Sequence, residues 1–208
     1  MDHPWMDISL SDYESHMSLE EVAQLQALDR IMNEQFDAFP AATVMILGVA
    51  GGNGLEHIDT EKYGSIYGVD INPGYLEETR RRFRSLGDAL KLLCVDLRTE
   101  AETLPAAELL IADLLIEYIG YGPFHTVVKI TSPRFVSCVI QIDEAEGFVS
   151  DSPYLHAFDR LEEIHCRMDR ERLTETMIDI GYERVFSAEY PLPNHKQLAR
   201  LDFSRKEL

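Results

Sequence analysis

The stretch Val44-Met45-Ile46-Leu47-Gly48-Val49-Ala50-Gly51-Gly52-Asn53-Gly54-Leu55-Glu56-His57-Ile58 constrains this chain more than any other. An apolar run of strand length breaks into clustered glycines and then enters a segment with helical character. A second short run, Ser65-Ile66-Tyr67-Gly68-Val69-Asp70, follows and ends in a carboxylate. An open α/β sheet that holds a nucleoside-bearing ligand needs this pairing. Glycines let backbone come close to the ligand, and an acid at the next strand end accepts hydrogen bonds from ribose hydroxyls.

The rest of the chain extends the pairing into an alternating series. Ser18 and Glu21 have capping-box spacing, and Val22, Leu25, Leu28, Ile31, Met32, Phe36 and Phe39 recur on one helical face until Pro40. A helix is therefore predicted over 18–39, after an irregular segment 1–17. Strands are predicted at 43–49, 65–70, 90–95, 109–112 and 135–142. Helices are predicted at 55–61, at 75–86 and over 114–130 with an interruption at Gly120-Tyr121-Gly122-Pro123. A long helix over 159–180 precedes two strand-like runs, 183–190 and 197–203, around the turn Pro191-Leu192-Pro193-Asn194, which reads as a β-hairpin. Right-handed crossovers make the first five strands parallel with helices on both faces. Ligands in such sheets sit outside the carboxyl ends of the strands, near the reversal of strand order, where Gly52, Asp70, Asp96 and Asp113 all fall.

Composition narrows the function classes. At 208 residues, with 45% hydrophobic and 27% charged residues, the chain suits one soluble globular domain. A formal net charge of −18 repels phosphate backbones and disfavours nucleic-acid binding. The basic run Arg80-Arg81-Arg82-Phe83-Arg84 reads first as the solvated face of a helix. No apolar run approaches the roughly 20 residues that span a bilayer, and Met1-Asp2-His3-Pro4-Trp5 does not begin a secretory signal. Cys94, Cys138 and Cys166 are too few and scattered for a disulfide framework or zinc site, so a reducing cytoplasm is the simplest compartment. No metal site is expected.

With these residues in place, the chain resembles the class I S-adenosylmethionine-dependent methyltransferases from about 40 to 205. The resemblance implies a Rossmann-like doubly wound α/β fold, a mostly parallel seven-stranded sheet with a C-terminal antiparallel β-hairpin. The family's loop after the first strand falls on 46–54 of this chain. Gly52 and Gly54 match its glycines, whereas Gly48 replaces its usual acid and Ala50 its first glycine. In the family that acid helps orient the methionine amino group. The resemblance implies a cofactor site of Gly48, Ala50, Gly51, Gly52, Gly54, Asp70, Ile71, Asp96, Leu97 and Asp113. Within it, Asp70 binds the ribose hydroxyls, Ile71 packs on adenine, Asp96-Leu97 meet the adenine edge and Asp113 faces cofactor and substrate. Asp113-Leu114-Leu115-Ile116 lacks the Asp/Asn-Pro-Pro-aromatic motif of enzymes that methylate base amines.

Methyl transfer from a sulfonium needs alignment and exclusion of water, and a base only when the accepting atom must lose a proton. Glu117, Tyr118 and His125 are the candidates for that role, each also readable as a packing or surface residue. Trp5, Tyr13, Tyr154 and His156 are candidate substrate contacts, and His165 reads as structural. The chain divides into an N-terminal extension and helix, 1–39, readable as a lid or as a packing or dimer contact, and a methyltransferase-like domain, 40–208. The leading expectation is a cytoplasmic methyltransferase, monomer or homodimer, that takes S-adenosylmethionine and a small or medium acceptor. The alternatives are a non-catalytic S-adenosylmethionine-binding regulatory protein and an NAD-dependent oxidoreductase.

Overall fold

A computed structural model of the chain describes residues 3–142 and 147–206. Five strands run parallel: β1 (Thr43–Leu47), β2 (Ser65–Asp70), β3 (Leu90–Cys94), β4 (Leu109–Asp113) and β5 (Phe135–Ile142). The hairpin follows as β6 (Tyr182–Pro191) and β7 (Gln197–Arg205), with β7 antiparallel to both β5 and β6. The sheet order is β3-β2-β1-β4-β5-β7-β6, so the winding reverses between β1 and β4. A seven-stranded, mostly parallel sheet with a closing antiparallel hairpin is the architecture the pattern predicts.

Side chains alternate across the strands, and both faces are covered. Val44, Ile46, Leu109 and Ile111 pack with Phe36 and Phe39 beneath α2 (Gln24–Ala38), and with Leu76 of α3 (Pro73–Arg82). Met45, Leu47, Leu110, Ala112 and Cys138 point the other way, onto Phe124 and Val128 of α5 (Tyr121–Thr131) and Leu173 and Met177 of α6 (Arg170–Ile178). α3 begins where Asn72 accepts hydrogen bonds from the Gly74 and Tyr75 amides and Pro73 supplies a preset φ.

Several helices differ from expectation for local reasons. Segment 3–38 forms two helices instead of one. Ser9 Oγ accepts from the Asp12 amide at 3.0 Å and starts α1 (Leu10–Ser18). Ser18 does not cap. It turns back onto the Ser15 carbonyl, and Ala23, at φ 51°, breaks the chain before α2. The helix expected at 55–61 is a single 3-10 turn, Leu55–His57, and α3 stops at Arg82, ahead of a 3-10 stretch, Arg84–Ala89. The interruption at Gly120 (φ 81°) separates α4 (Ile116–Ile119) from α5. The long helix expected over 159–180 is instead a 3-10 stretch, Leu155–Glu163, an irregular link and α6. The Cys166 amide donates to the Glu117 carbonyl at 2.7 Å, drawing the chain away, and Asp169 then caps α6 through the Arg172 amide at 2.8 Å.

A buried ion pair sits where β7 crosses the sheet. Arg200 Nη2 lies 2.7 Å from Asp202 Oδ2, with side chains 4% and 2% exposed. Asp202→Ala is expected to destabilise the fold by about 3–5 kcal/mol, because Arg200 stays buried with only the partly exposed Glu34 carboxylate, 3.3 Å away, to balance it. Replacing both with apolar residues of similar size is expected to recover much of that loss in urea unfolding. Equal losses for the single and double variants would show that packing, not charge, dominates there.

Candidate functional site

The carboxyl ends of β1, β2 and β4 open into one narrow cavity of about 80 Å³. Gly48, Ala50, Asp70, Ile71, Asp96, Leu97 and Asp113 line it. Asp70 stands at its centre. Its Oδ2 accepts from the Ala50 amide and its Oδ1 from the Asn72 amide, both at 2.9 Å. Burial pushes the Asp70 carboxyl above the usual carboxylate range, and those amides pull it back. Ala50, where the family has a glycine, is held at φ 45°, and its carbonyl accepts from the Thr79 hydroxyl at 2.7 Å.

The glycines that follow do something else. Gly51, Gly52 and Gly54 are absent from the cavity lining. Gly52 has φ +87°, and a Cβ there would lie 2.4 Å from the Phe83 ring. One at Gly51 would meet Glu14, and one at Gly54 would meet Met32. The expected three-glycine cradle is therefore a tight turn packed against the protein itself, and the cavity wall at β1 is made by Gly48 and Ala50.

The N-terminal segment closes the cavity. His3, Trp5 and Tyr13 line it with Tyr75. Asn72 Nδ2 donates to the Trp5 carbonyl at 3.0 Å, and the Tyr75 hydroxyl donates to the Ile8 carbonyl at 2.9 Å. Arg82 bridges to both Glu14 oxygens, at 2.5 and 3.0 Å, and donates to the Gly51 carbonyl at 3.2 Å. Arg160 pairs with Asp7. Burial, with Asp70 and Glu14 nearby, pushes the Tyr13 phenol far up, so its hydroxyl stays protonated. Arg80, Arg81 and Arg82 pair with Glu77, Glu78 and Glu14, so three of the four arginines in the basic run are matched by neighbouring acids.

Trp5 also forms a partition. Its ring meets Tyr118 edge-on at 5.0 Å and Tyr13 at 5.9 Å. Behind it lies a second chamber that shares Trp5, Tyr13, Leu114 and Tyr118 with the first. Glu117 lines this chamber and is 3% exposed, its Oε1 accepting from the Gln141 amide at 2.8 Å. The other expected site residues are placed elsewhere. His125 is half-buried on α5, and Tyr154 packs in an aromatic cluster with Phe158, both outside the two linings. His156 is exposed beside Asp159.

Residues outside the candidate catalytic, cofactor and substrate sets also line the chambers. His16, Gln24, Gln141 and Phe148 face the second chamber, and His165, read as structural, stacks on Phe148 at 3.9 Å and lines it too. His3 lines the first chamber. The spacing of His16 and His165 carries no signal, because they lie 149 positions apart in sequence and only the fold joins them. Away from both chambers, Asp29, Glu56 and His57 bring three potential ligand atoms within 4.8 Å of one another, with His57 Nε2 2.9 Å from Asp29.

No family profile matches the chain, and no curated protein matches it in sequence. Solved structures do match. Magnesium protoporphyrin IX methyltransferase from Synechocystis, with bound S-adenosylhomocysteine, superposes with a TM-score of 0.66 at 12% identity, over 89% of this chain and 84% of that one. A putative S-adenosylmethionine-dependent methyltransferase from Listeria monocytogenes gives 0.62 at 13%, over 88% and 100%. Geranyl diphosphate methyltransferase, with geranyl diphosphate and sinefungin, gives 0.65 at 12%, over 87% and 78%. The chain has the class I methyltransferase fold. A cyclase shares this methyltransferase fold at a TM-score of 0.64, so the fold by itself does not name a reaction. Among the described residues no helix is long and apolar enough to cross a membrane.

Arg82→Ala and Glu14→Ala are each expected to speed amide hydrogen exchange across α1 severalfold. The global unfolding free energy should change by less than about 1 kcal/mol, because the pair is partly solvated. Unchanged exchange in both variants would show that the bridge does not hold the cover down.

Proposed function

We propose that this chain is an S-adenosylmethionine-dependent methyltransferase acting on a small or medium acceptor. One observation carries the reading: Asp70 ends β2 inside a cavity whose described lining has three carboxylates, Asp70, Asp96 and Asp113, and no lysine or arginine. Such a donor set fits a nucleoside that bears positive charge. When bound, S-adenosylmethionine supplies an electrophilic methyl group on a sulfonium. Asp70 accepts the ribose hydroxyls, Ile71 and Leu97 supply apolar walls for the adenine, and Asp96 receives its amino group. Trp5, Tyr13 and Tyr75 keep water out of the site.

The second chamber receives the acceptor. Its aromatic walls suit a compact, partly planar molecule, and Glu117 and Tyr118 stand where a proton leaving the accepting atom can be taken up. A dinucleotide is disfavoured, because its diphosphate would meet the acids of the cavity, and Glu14 and Phe83 already occupy the space over Gly51 and Gly52. The presence of the second chamber favours catalysis over a purely regulatory role. A cytoplasmic setting belongs to the same reading and is supported by three free thiols. The chain works as a monomer or homodimer, with segment 3–38 as a cover over a core that begins at β1.

Calorimetry with S-adenosylmethionine and S-adenosylhomocysteine tests the cofactor. The native chain should bind both, and Asp70→Ala should weaken binding by roughly 10- to 100-fold, the usual size of a lost charge-assisted pair of hydrogen bonds. No heat with the native chain, or a fluorescence change with NADH, would defeat the proposal. Against an acceptor whose accepting atom must lose a proton, Glu117→Gln should lower kcat by about 100-fold or more with cofactor affinity unchanged. An unaltered kcat would remove Glu117 from the reaction.

A further inference from the structure

The proposed reaction leaves unused a buried polar chain that runs from the β5–β7 seam to the cofactor cavity. Asp202, paired with Arg200, accepts from the Ser137 hydroxyl at 2.5 Å. That hydroxyl has one hydrogen, so Ser137 can only accept from Gln35, whose Nε2 lies 2.9 Å away. The orientation of the Gln35 amide is thereby set, and the same nitrogen donates to Asp113 Oδ1 at 2.9 Å. Two acceptors are left over. Gln35 Oε1 and Asp113 Oδ2 are both buried without a hydrogen-bond partner, on two side chains already bonded to each other. Buried acceptors in native proteins are nearly always satisfied, and among the described residues neither of these two has a donor within hydrogen-bond distance.

We propose that Asp113 is a neutral carboxylic acid in the ligand-free protein, its proton on Oδ2 donated towards Gln35 Oε1, and that a cationic ligand in the cavity displaces this proton to solvent. A single hydrogen satisfies both leftover atoms. It also leaves two carboxylates, not three, to repel one another across a cavity whose described lining lacks lysine and arginine.

The surroundings agree. Gln35 from α2, Arg200 from β7 and a backbone hydrogen bond with Val139 of β5 favour the ionised form. Burial and the Asp202 charge oppose it, the Cys138 thiol beside it is neutral, and burial dominates, so the Asp113 carboxyl is pushed up to about 7. Ligand binding conserves atoms and charge: the O–H bond of Asp113 breaks, the proton enters solvent, and the carboxylate faces the ligand's positive charge. The identity of that ligand as S-adenosylmethionine rests on the function proposed above. The neutral state of Asp113 does not.

The signs follow from linkage. Between the ordinary carboxylate value of 3.8 and about 7, the native chain holds a proton that the unfolded chain has lost. Ligand-free stability therefore falls as pH rises through that window, and affinity for a cation rises with it. Calorimetry in two buffers of different ionisation enthalpy should show that S-adenosylmethionine releases close to one proton at about pH 6 and almost none at about pH 8, with affinity falling by up to about tenfold per pH unit below 7. Asp113→Asn keeps the shape and should abolish both effects. Binding at about pH 6 without proton release, or release that persists in Asp113→Asn, would overturn the proposal.

If no cofactor binds at any pH, the function reading fails and the unfolding arm decides this one. Urea unfolding of ligand-free native chain, compared with Asp113→Asn, should show an excess of stability that declines from about pH 4 to about pH 7. A difference that is flat with pH would sink the proposal. Should Asp113→Asn not fold, Asp113→Ala supplies the same comparison, together with the infrared carboxylic-acid band expected at about pH 6 and lost by about pH 8.

Discussion

The site depends on one buried carboxylate. Asp70 ties the loop after β1 to the turn after β2 by accepting the Ala50 and Asn72 amides. Those two segments are neighbouring walls of the cavity, so neither can shift without breaking a charge-assisted bond. The same bonds hold Ala50 at a positive φ that an alanine disfavours. They also keep Asp70 usable as an acceptor, because burial alone would favour its neutral form. A structural requirement and a binding requirement therefore meet in one side chain.

The N-terminal segment then converts a surface crevice into two connected chambers. Trp5 stands between them, held by aromatic contacts on both sides and by Asn72 at its carbonyl. The polar straps on this segment reach three separate places: the turn between β2 and α3, α3 itself (twice) and the 3-10 stretch Leu155–Glu163. A cover fastened at several separate points, its ion pairs partly solvated, can open locally while the sheet beneath stays folded. That property suits a site that must admit a ligand and then exclude water.

Much of the fold was legible because alternating apolar runs and their terminal acids are local features. Asp70, Asp96 and Asp113 were found as strand ends, and all three reach the cavity. The glycine loop was legible as a turn, but not that Gly51, Gly52 and Gly54 stand outside the cavity lining, with Phe83 and Met32, from segments after and before the loop, packed over Gly52 and Gly54. The single helix expected over 18–39 failed for a related reason. Its apolar period was real, but Ser9 offered a cap just as good as Ser18 and the turn at Ala23 is fixed by packing. His156 was favoured for its position after β5, yet it faces solvent, whereas His16 and His165 line a chamber that only the tertiary structure assembles.

The sequence by itself therefore determined the sheet, its hairpin and the acids along one edge, because each follows from periodicity or from a residue at a strand terminus. The tertiary structure decided which of these residues line the cavity, what packs over them and which hydrogen bonds they make. Gln35 makes the point: nothing local distinguishes it from Gln26 on the same helix. It becomes informative only once α2 lies across β4 and β5, where Ser137 and Asp113, far apart in sequence, share its one amide nitrogen. Hydrogen-bond satisfaction inside a protein is a property of the packed whole, and no window of sequence contains it.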